Sequence, residues 1–323
     1  MSSLVADIGA TNARFALWDG ARLVAEQSFL CSSFATLTEA ASHYLASGEV
    51  AGAARPTTAV LAIATPLRGD QVAMTNHSWS FSAAAVRAAL ALERLVLLND
   101  FTALALALRH LAPGDLHQVG GGRANERASL GLLGPGSGLG MSGLVHADGR
   151  FHPIMGEGGH ATLPATTPRE QGVFNQLQQR FGHVSAERVL SGPGLLSVYQ
   201  ALCGLDGVSP RAQTPDVVSE SALSGRDPHC VEALELFCGW LGTVAGDLAL
   251  VLGAHGGIYI GGGIVPRLGA YFERSAFRAR FEAKGRYQSY LAPIPVFVIT
   301  AHSPALLGCA RALSDPSPRI EAA

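Results

Sequence analysis

Carboxylates, amides and glycines recur in this chain where predicted strands end, and those ends are where chemistry could be done. The first is Asp7-Ile8-Gly9-Ala10-Thr11-Asn12. A glycine turn after a strand suggests dinucleotide binding, but G-x-G-x-x-G is absent. The residues after the turn, Ala13-Arg14-Phe15-Ala16-Leu17-Trp18, alternate as a strand rather than opening a helix. The turn is then a hairpin tip, whose successive N–H groups can cradle a phosphate, with Thr11 and Asn12 adding side-chain donors. Asp7 would be placed to hold Mg²⁺ on such phosphates, usually through water. An ordinary turn of small residues accounts for the same letters.

Gly134-Pro135-Gly136-Ser137-Gly138-Leu139-Gly140 sets four glycines around one serine. Backbone without side chains can approach a ligand closely, and Ser137 could bond a phosphate oxygen; a flexible hairpin turn fits equally. Two such tips facing each other from related domains would form a nucleotide phosphate clamp in the cleft between them. Asn99-Asp100 lies at the carboxyl end of a parallel-type strand, where open α/β sheets place ligand groups, although both residues are also preferred helix caps. Gly156-Glu157-Gly158-Gly159-His160 has the Glu-x-x-His spacing of a di-iron ligand pair, but three glycines in five residues argue against the helix that pair needs. A loop offering Glu157 and His160 to a polyhydroxyl ligand fits better, against the alternative of a solvated surface loop. Glu187 alone would be a solvated glutamate paired with Arg188. Gly261-Gly262-Gly263-Ile264 after a short strand could admit a flat adenine ring, or could be a tight turn into a helix.

The elements that must position these residues emerge from periodicity and caps. Leu4–Asp7, Ala13–Trp18 and Leu23–Phe29 read as successive strands with a turn at Asp19-Gly20, followed by a helix near 34–47 and a strand at Thr58–Ala64. Ser82 caps a helix through Leu90; Leu95–Leu98 is a buried strand; Asn99-Asp100 caps a helix to about Leu111. Residues 113–128 are polar and glycine-rich, a crossing between domains. The opening then recurs: Ser129–Leu133 as strand, Gly134–Gly140 as turn, Met141–Val145 as strand, and a turn at His146–Gly149. Strand, glycine turn, strand, turn, strand, helices: this pattern appears twice and reads as an internal structural repeat. Helices are expected at about 169–182, 193–204 and 230–253, strands at Ile258–Ile260 and Val296–Ile299, and a last helix opening at Ser303-Pro304. The tail Ser314–Ala323 is expected to fray.

Length and composition bound the function. With 323 residues, 48% hydrophobic and only 15% charged, the chain suits about two α/β domains. A net charge of −2 excludes a nucleic-acid-coating protein, which needs a basic excess. No charged-then-apolar leader opens the chain, and Asp247 interrupts the best apolar run, around 244–254. The expectation is a cytoplasmic protein with neither membrane nor nucleic-acid partner. Five scattered cysteines without a C-x-x-C pair point to reduced core thiols. Lys284 is the sole lysine beside twenty-two arginines, and its Glu282–Arg286 context fits neither a P-loop nor a protein-kinase strand lysine; Schiff-base chemistry would rest on it alone.

Taken together, the chain resembles the bacterial glucokinase family of the actin/hexokinase/Hsp70-like ATPase superfold. The resemblance rests on DIGATNARFAL at 7–17, MTNHSW at 74–79, LNDFTA at 98–103, GSGLG at 136–140, GEGGH at 156–160, ERVLSGPGL at 187–195, GGIYIGGGIVPR at 256–267, FRARFEAKGRY at 277–287 and PALLGCA at 304–310. The zinc-binding cysteine-histidine motif of the related repressor/kinase sugar group is missing. The resemblance implies two ribonuclease-H-like α/β domains flanking a cleft, each opening with a β-meander in a mixed sheet, with boundaries at 1–110 plus 302–323 and at 111–301. It implies ATP-dependent, Mg²⁺-assisted phosphorylation of D-glucose to glucose 6-phosphate, the first step of glycolysis, by a homodimer.

Asp100 would be the general base at the sugar 6-hydroxyl. Asn99, Asp100, Glu157, His160 and Glu187 would share the glucose hydroxyls. Residues Ala6, Asp7, Ile8, Gly9, Ala10, Thr11 and Asn12, with Gly136, Ser137 and Gly138, would hold the ATP phosphates, and Gly261, Gly262, Gly263 and Ile264 the adenosine. Two departures stand out: Ala10 where the family has a second glycine, and Ser137 where threonine is usual. The residues leave open a kinase for another hexose, a polyphosphate donor, a catalytically inactive sugar sensor, or a chaperone-like or actin-like ATPase turning over without sugar.

Overall fold

A computed structural model describes residues 2–314 except Ala51 and Ala53, together with the backbone of Ile320 and Glu321. The chain divides into two units, each with its own apolar core. Unit 1 comprises residues 1–113, 152–155 and 301–323, and unit 2 comprises 114–151 and 156–300.

In unit 1 the near-continuous apolar runs become central strands, and the alternating run becomes the edge, as burial on two faces or one requires. The strands are β1 (Ser3–Ile8), β2 (Asn12–Trp18), β3 (Leu23–Leu30) and β4 (Thr58–Ile63), then a two-stranded ribbon of β5 (Gln71–Ala73) and β6 (Ser80–Ser82), then β7 (Arg94–Asn99). Val60 to Ile63 of β4 are all fully buried, whereas β3 alternates between exposed and half-buried residues along its outer half. The strands of the second sheet are β8 (Leu116–Val119), β9 (Leu130–Pro135), β10 (Leu139–Ala147), β11 (Arg150–Pro153), β12 (Ile258–Ile260) and β13 (Val296–Ile299); β14 (Ile320–Glu321) returns to the first sheet.

The two sheets have the same plan. The first runs β3-β2-β1-β4-β7-β14 and the second β11-β10-β9-β12-β13-β8. In each, a meander supplies three strands, two parallel strands come next, and a short antiparallel strand closes the far edge. This is the internal repeat expected from the recurring strand and glycine-turn pattern. The closing strands are what the sequence conceals. Leu116–Val119 sits inside the stretch read as a polar crossing and has only four residues, too few for a period of two to register. Ile320 and Glu321 pair with Leu97 and Val96 despite the expectation of a fraying tail; the rest of that tail, 315–319 and 322–323, lies outside the described residues.

Register fixes which side chains share a sheet end. Ile8 lies opposite Ile63, and Ile63 opposite Asn99, so β1, β4 and β7 finish level. The end of β1 and the end of β7 are therefore two strand spacings apart, about 10 Å.

Two helix starts expected from sequence, after Ser82 and after Asn99, are set by those caps. Ser82 accepts the Ala85 N–H, and the helix runs Ala83–Ala89. Thr167 and Glu170 form a reciprocal capping box for Pro168–Phe181. The helix after Asn99 is α-helical over Asp100–Ala107 and tightens to a 3₁₀ turn over Leu108–His110, so it stops a residue short of the expected Leu111. An unforeseen helix, Pro215–Leu223, lies between Gly192–Leu205 and Pro228–Leu252.

Pro228–Leu252 is, by length and composition, apolar enough to cross a membrane, the only such helix among the described residues, but 67% of its most apolar stretch is buried within the protein. The interruption at Asp247 does not lower the average enough to exclude it; packing does. Phe277 and Phe281 are buried beside it, and a Cβ at Gly242 would sit 2.1 Å from the Phe277 carbonyl oxygen. All five cysteines are buried free thiols. Lys284 donates to Asp247 and to the Thr243 carbonyl, a structural use of the sole lysine.

Candidate functional site

In unit 1 the end of β1 carries Asp7, directly opposite Arg14 on β2. Arg14 Nη1 donates to Asp7 Oδ2 at 3.2 Å, and the Asp7 side chain is 16% exposed. Burial pushes the Asp7 carboxyl above the usual carboxylate range; Arg14 offsets part of that rise and Glu26 adds to it. Ala6 and Ile8 are core residues. Gly9, Ala10 and Thr11 form the tip, closed by the Gly9 N–H donating to the Asn12 carbonyl at 2.9 Å. Two thiols buttress it from beneath: Cys31 Sγ meets the Gly9 carbonyl and Cys309 Sγ the Ala6 carbonyl, each at 3.3 Å. The N–H groups of Ala10 and Thr11 make no backbone hydrogen bond among the described residues, which suits an anion cradle.

On the same sheet end, Asn99 is the N-cap of Asp100–Ala107. Its Oδ1 accepts from the N–H groups of Phe101 (3.0 Å) and Thr102 (3.2 Å), and its Nδ2 donates to the Thr65 carbonyl at 3.5 Å. Both acceptor positions of the amide oxygen are filled, so only a donor hydrogen on Nδ2 remains for a ligand. Asp100, half-buried, accepts the Phe101 N–H through Oδ1 at 3.0 Å. Thr65, which the sequence did not single out, is 4% exposed; its hydroxyl bonds the Ala73 carbonyl at 3.0 Å and Thr75 Oγ1 at 2.9 Å. The MTNHSW stretch is the only sequence signal near it.

Unit 2 gathers the other candidates around a second tip. The turn narrows to Gly136–Gly138, since Pro135 and Leu139 are still in strands. The Gly136 N–H donates to the Gly138 carbonyl at 2.8 Å, and Ser137 is exposed at the apex. The Gly261–Ile264 turn lies on the same hairpin: Gly261 N–H donates to the Leu133 carbonyl at 2.9 Å and Ile264 N–H to the Pro135 carbonyl at 3.5 Å. Gly262 requires glycine twice over, with φ at +75° and a Cβ that would lie 2.3 Å from the Pro135 oxygen.

The Gly156–His160 loop is not an α-helix; Gly158–His160 is a single 3₁₀ turn. Gly159 fits because a Cβ there would be 2.0 Å from the Leu139 carbonyl oxygen. Glu157 is exposed, and its carboxylate makes no hydrogen bond among the described residues. His160 Nδ1 is 3.9 Å from Glu187 Oε1, and Glu187 Oε2 accepts the Leu139 N–H at 2.9 Å. Glu187 is not paired with Arg188, whose guanidinium lies 4.3 Å over the Phe181 ring. Unit 2 thus brings together Gly136–Gly138, Gly261–Ile264, His160 and Glu187; unit 1 brings together Asp7–Asn12, Asn99 and Asp100. Among the described residues no group of three His, Cys, Asp or Glu side chains could enclose a metal ion.

A family profile described as Glucokinase matches residues 4–316. The chain is 52% identical over 314 residues to a glucokinase of Aromatoleum aromaticum, covering 97% of this chain and 94% of that one. Its fold is similar to a crystal structure of glucokinase from an Antarctic psychrotroph, with TM-score 0.86, 36% identity, and coverage of 97% and 98% of the two chains. It is also similar in fold to a ROK family glucokinase from Streptomyces griseus solved with glucose and AMPPNP, with TM-score 0.64, 18% identity, and coverage of 97% and 99%.

Proposed function

The chain belongs to the glucokinase family, and from that footing we propose a reaction in which the γ-phosphoryl group of ATP passes to the 6-hydroxyl of D-glucose while Asp100 takes the hydroxyl proton. The observation that carries the assignment is the level ending of β1 and β7. It sets the strand end that leads into the Asp100 helix about 10 Å from the strand end that leads into a hairpin tip with open N–H groups. Phosphoryl transfer has a loose transition state, so its catalysis is mostly positioning and charge neutralisation. The N–H groups of Ala10 and Thr11, with those of Ser137 and Gly138 and the Ser137 hydroxyl, take the phosphate oxygens, and Gly261–Ile264 takes the adenosine. Asp100 accepts the proton as the sugar oxygen attacks the γ-phosphorus, and the bond from that phosphorus to the bridging oxygen of ADP breaks with ADP as leaving group. The Asp100 carboxyl group then releases the proton to solvent.

Glucose hydroxyls are shared by Asp100, Glu157, His160, Glu187 and the donor hydrogen of Asn99. A sugar lacking one of those hydroxyls leaves a polar partner unpaired and is rejected. Asp7 suits a divalent cation: it is a half-buried carboxylate at the tip, with Arg14 Nη1 on Oδ2 at 3.2 Å. Mg²⁺ held there through water would neutralise charge on the phosphates. Cytoplasmic location and homodimeric assembly complete the proposal on family resemblance, and sedimentation analysis tests the second. The central test couples glucose 6-phosphate formation to a reporter with ATP and Mg²⁺ present. Product is expected with glucose, and its absence would overturn the proposal.

A further inference from the structure

Glu187 stands between two loops to which the proposed function gives different jobs. Its Oε2 accepts the N–H of Leu139, the first residue after the Gly136–Gly138 tip, at 2.9 Å, while its Oε1 lies 3.9 Å from His160 Nδ1. Gly138 leaves no slack, since a Cβ there would lie 2.5 Å from Oε2. The segment that carries Glu187 is tied to the tip a second time: the Gly192 N–H donates to the Gly136 carbonyl at 2.8 Å. Ser191 locks that segment by donating to the Glu187 carbonyl at 2.8 Å and accepting the Gly194 N–H at 3.0 Å. Leu139 is common to both loops, because its carbonyl oxygen abuts Gly159 of the His160 loop.

We infer that Glu187 is a positioning residue for the Gly136–Gly138 tip as well as a sugar ligand, so that sugar and nucleotide bound to unit 2 share one carboxylate and change each other's affinity. The inference rests on the sugar assignment of Glu187. Leu139 is 4% exposed, so its N–H has no ready access to water if the carboxylate is removed, and the tip then loses the anchor that shapes it. A sugar hydroxyl that engages Oε1 fixes the plane of the same carboxylate whose Oε2 holds the tip. Linkage makes the effect reciprocal: whatever glucose does to nucleotide affinity, nucleotide does to glucose affinity.

The experiment is isothermal titration of the full-length protein with ADP and with glucose, each alone and then together. In Glu187→Ala, ADP affinity without sugar is expected to fall roughly tenfold, within the usual span of such couplings. Glu187→Gln, whose amide oxygen can still accept the Leu139 N–H, is expected to restore ADP binding while glucose binding stays weak. Wild-type ADP affinity in Glu187→Ala overturns the positioning role and leaves the sugar assignment standing. Wild-type glucose affinity in the same variant overturns the sugar assignment itself. Should Glu187→Ala fail to fold, Gly138→Ala decides. It crowds Oε2 from the tip and is expected to weaken glucose binding with no nucleotide present; an unchanged glucose affinity there overturns the inference.

Discussion

Asp100 and Asn99 share one turn of chain and divide its labour. The Phe101 N–H is accepted by both Asn99 Oδ1 and Asp100 Oδ1, each at 3.0 Å, so the carboxylate is pinned to its own helix start. Asp100→Asn keeps the shape and removes the base. Turnover is expected to drop by roughly 10²–10⁴, the usual worth of general base catalysis, with glucose affinity by titration within a few-fold of wild type. Near wild-type turnover would remove Asp100 from the mechanism. Asn99→Ala removes the cap and is expected to cost about 1 kcal/mol in chemical denaturation, with Asn99→Asp restoring most of it. Of the cap and ligand readings of Asn99 that the sequence leaves open, the cap is present, made by the amide oxygen, and a nitrogen hydrogen is left over for the proposed ligand role.

Elements carry a second layer of dependence. The helix Pro304–Ala312 approaches Asp100–Ala107 so closely that a Cβ on Gly308 would lie 1.7 Å from the Ala103 carbonyl oxygen. Gly308→Ala is expected to destabilise unit 1 by roughly 1–3 kcal/mol in urea unfolding and to lower turnover, because the displaced helix is the one that presents Asp100. In unit 2, Arg169 at the start of Pro168–Phe181 forks to Asp206 (2.7 and 2.8 Å) and to Glu232 (2.7 and 2.8 Å), joining three helical segments. Arg169, with help from His229, holds the Asp206 carboxyl down to about 2, against a push upward from burial. A carboxyl depressed in the folded state, from about 3.9 unfolded, contributes stability that is complete above about pH 5 and is lost as pH falls toward 2. Arg169→Met should flatten that acid limb of stability against pH, measured as denaturation midpoints from pH 6 to 2; an unaltered slope would assign the limb to other groups.

For the whole molecule the chain order matters more than the local letters. Unit 1 is completed only after unit 2 has been traversed: residues 301–323 return to it, Cys309 packs against the Ala6 carbonyl beneath the first tip, and Ile320 and Glu321 close its sheet. Deleting residues 302–323 is therefore expected to unfold the N-terminal unit, some 200 residues away in sequence, and to abolish phosphorylation. The measurement is hydrogen exchange in β1, β4 and β7, where wild-type protection in the truncated chain would contradict the expectation.

The amino-acid sequence by itself determined most of the elements and their repetition, because alternation, buried apolar runs and caps such as Ser82 and Asn99 act within a few residues of chain. It also determined that the turns at Asp7–Asn12 and Gly134–Gly140 would be hairpin tips, since a strand and not a helix follows each; Ala13–Trp18 after the first keeps a period of two. Only the tertiary structure decided what those tips meet. Arg14 opposite Asp7, Leu139 on Glu187, Gly262 against Pro135 and Arg188 over Phe181 rather than beside Glu187 are contacts set by register and helix packing. The short edge strands Leu116–Val119 and Ile320–Glu321 belong to the same class: two to four residues carry no periodic signal, and the open edge of a finished sheet is what makes them strands.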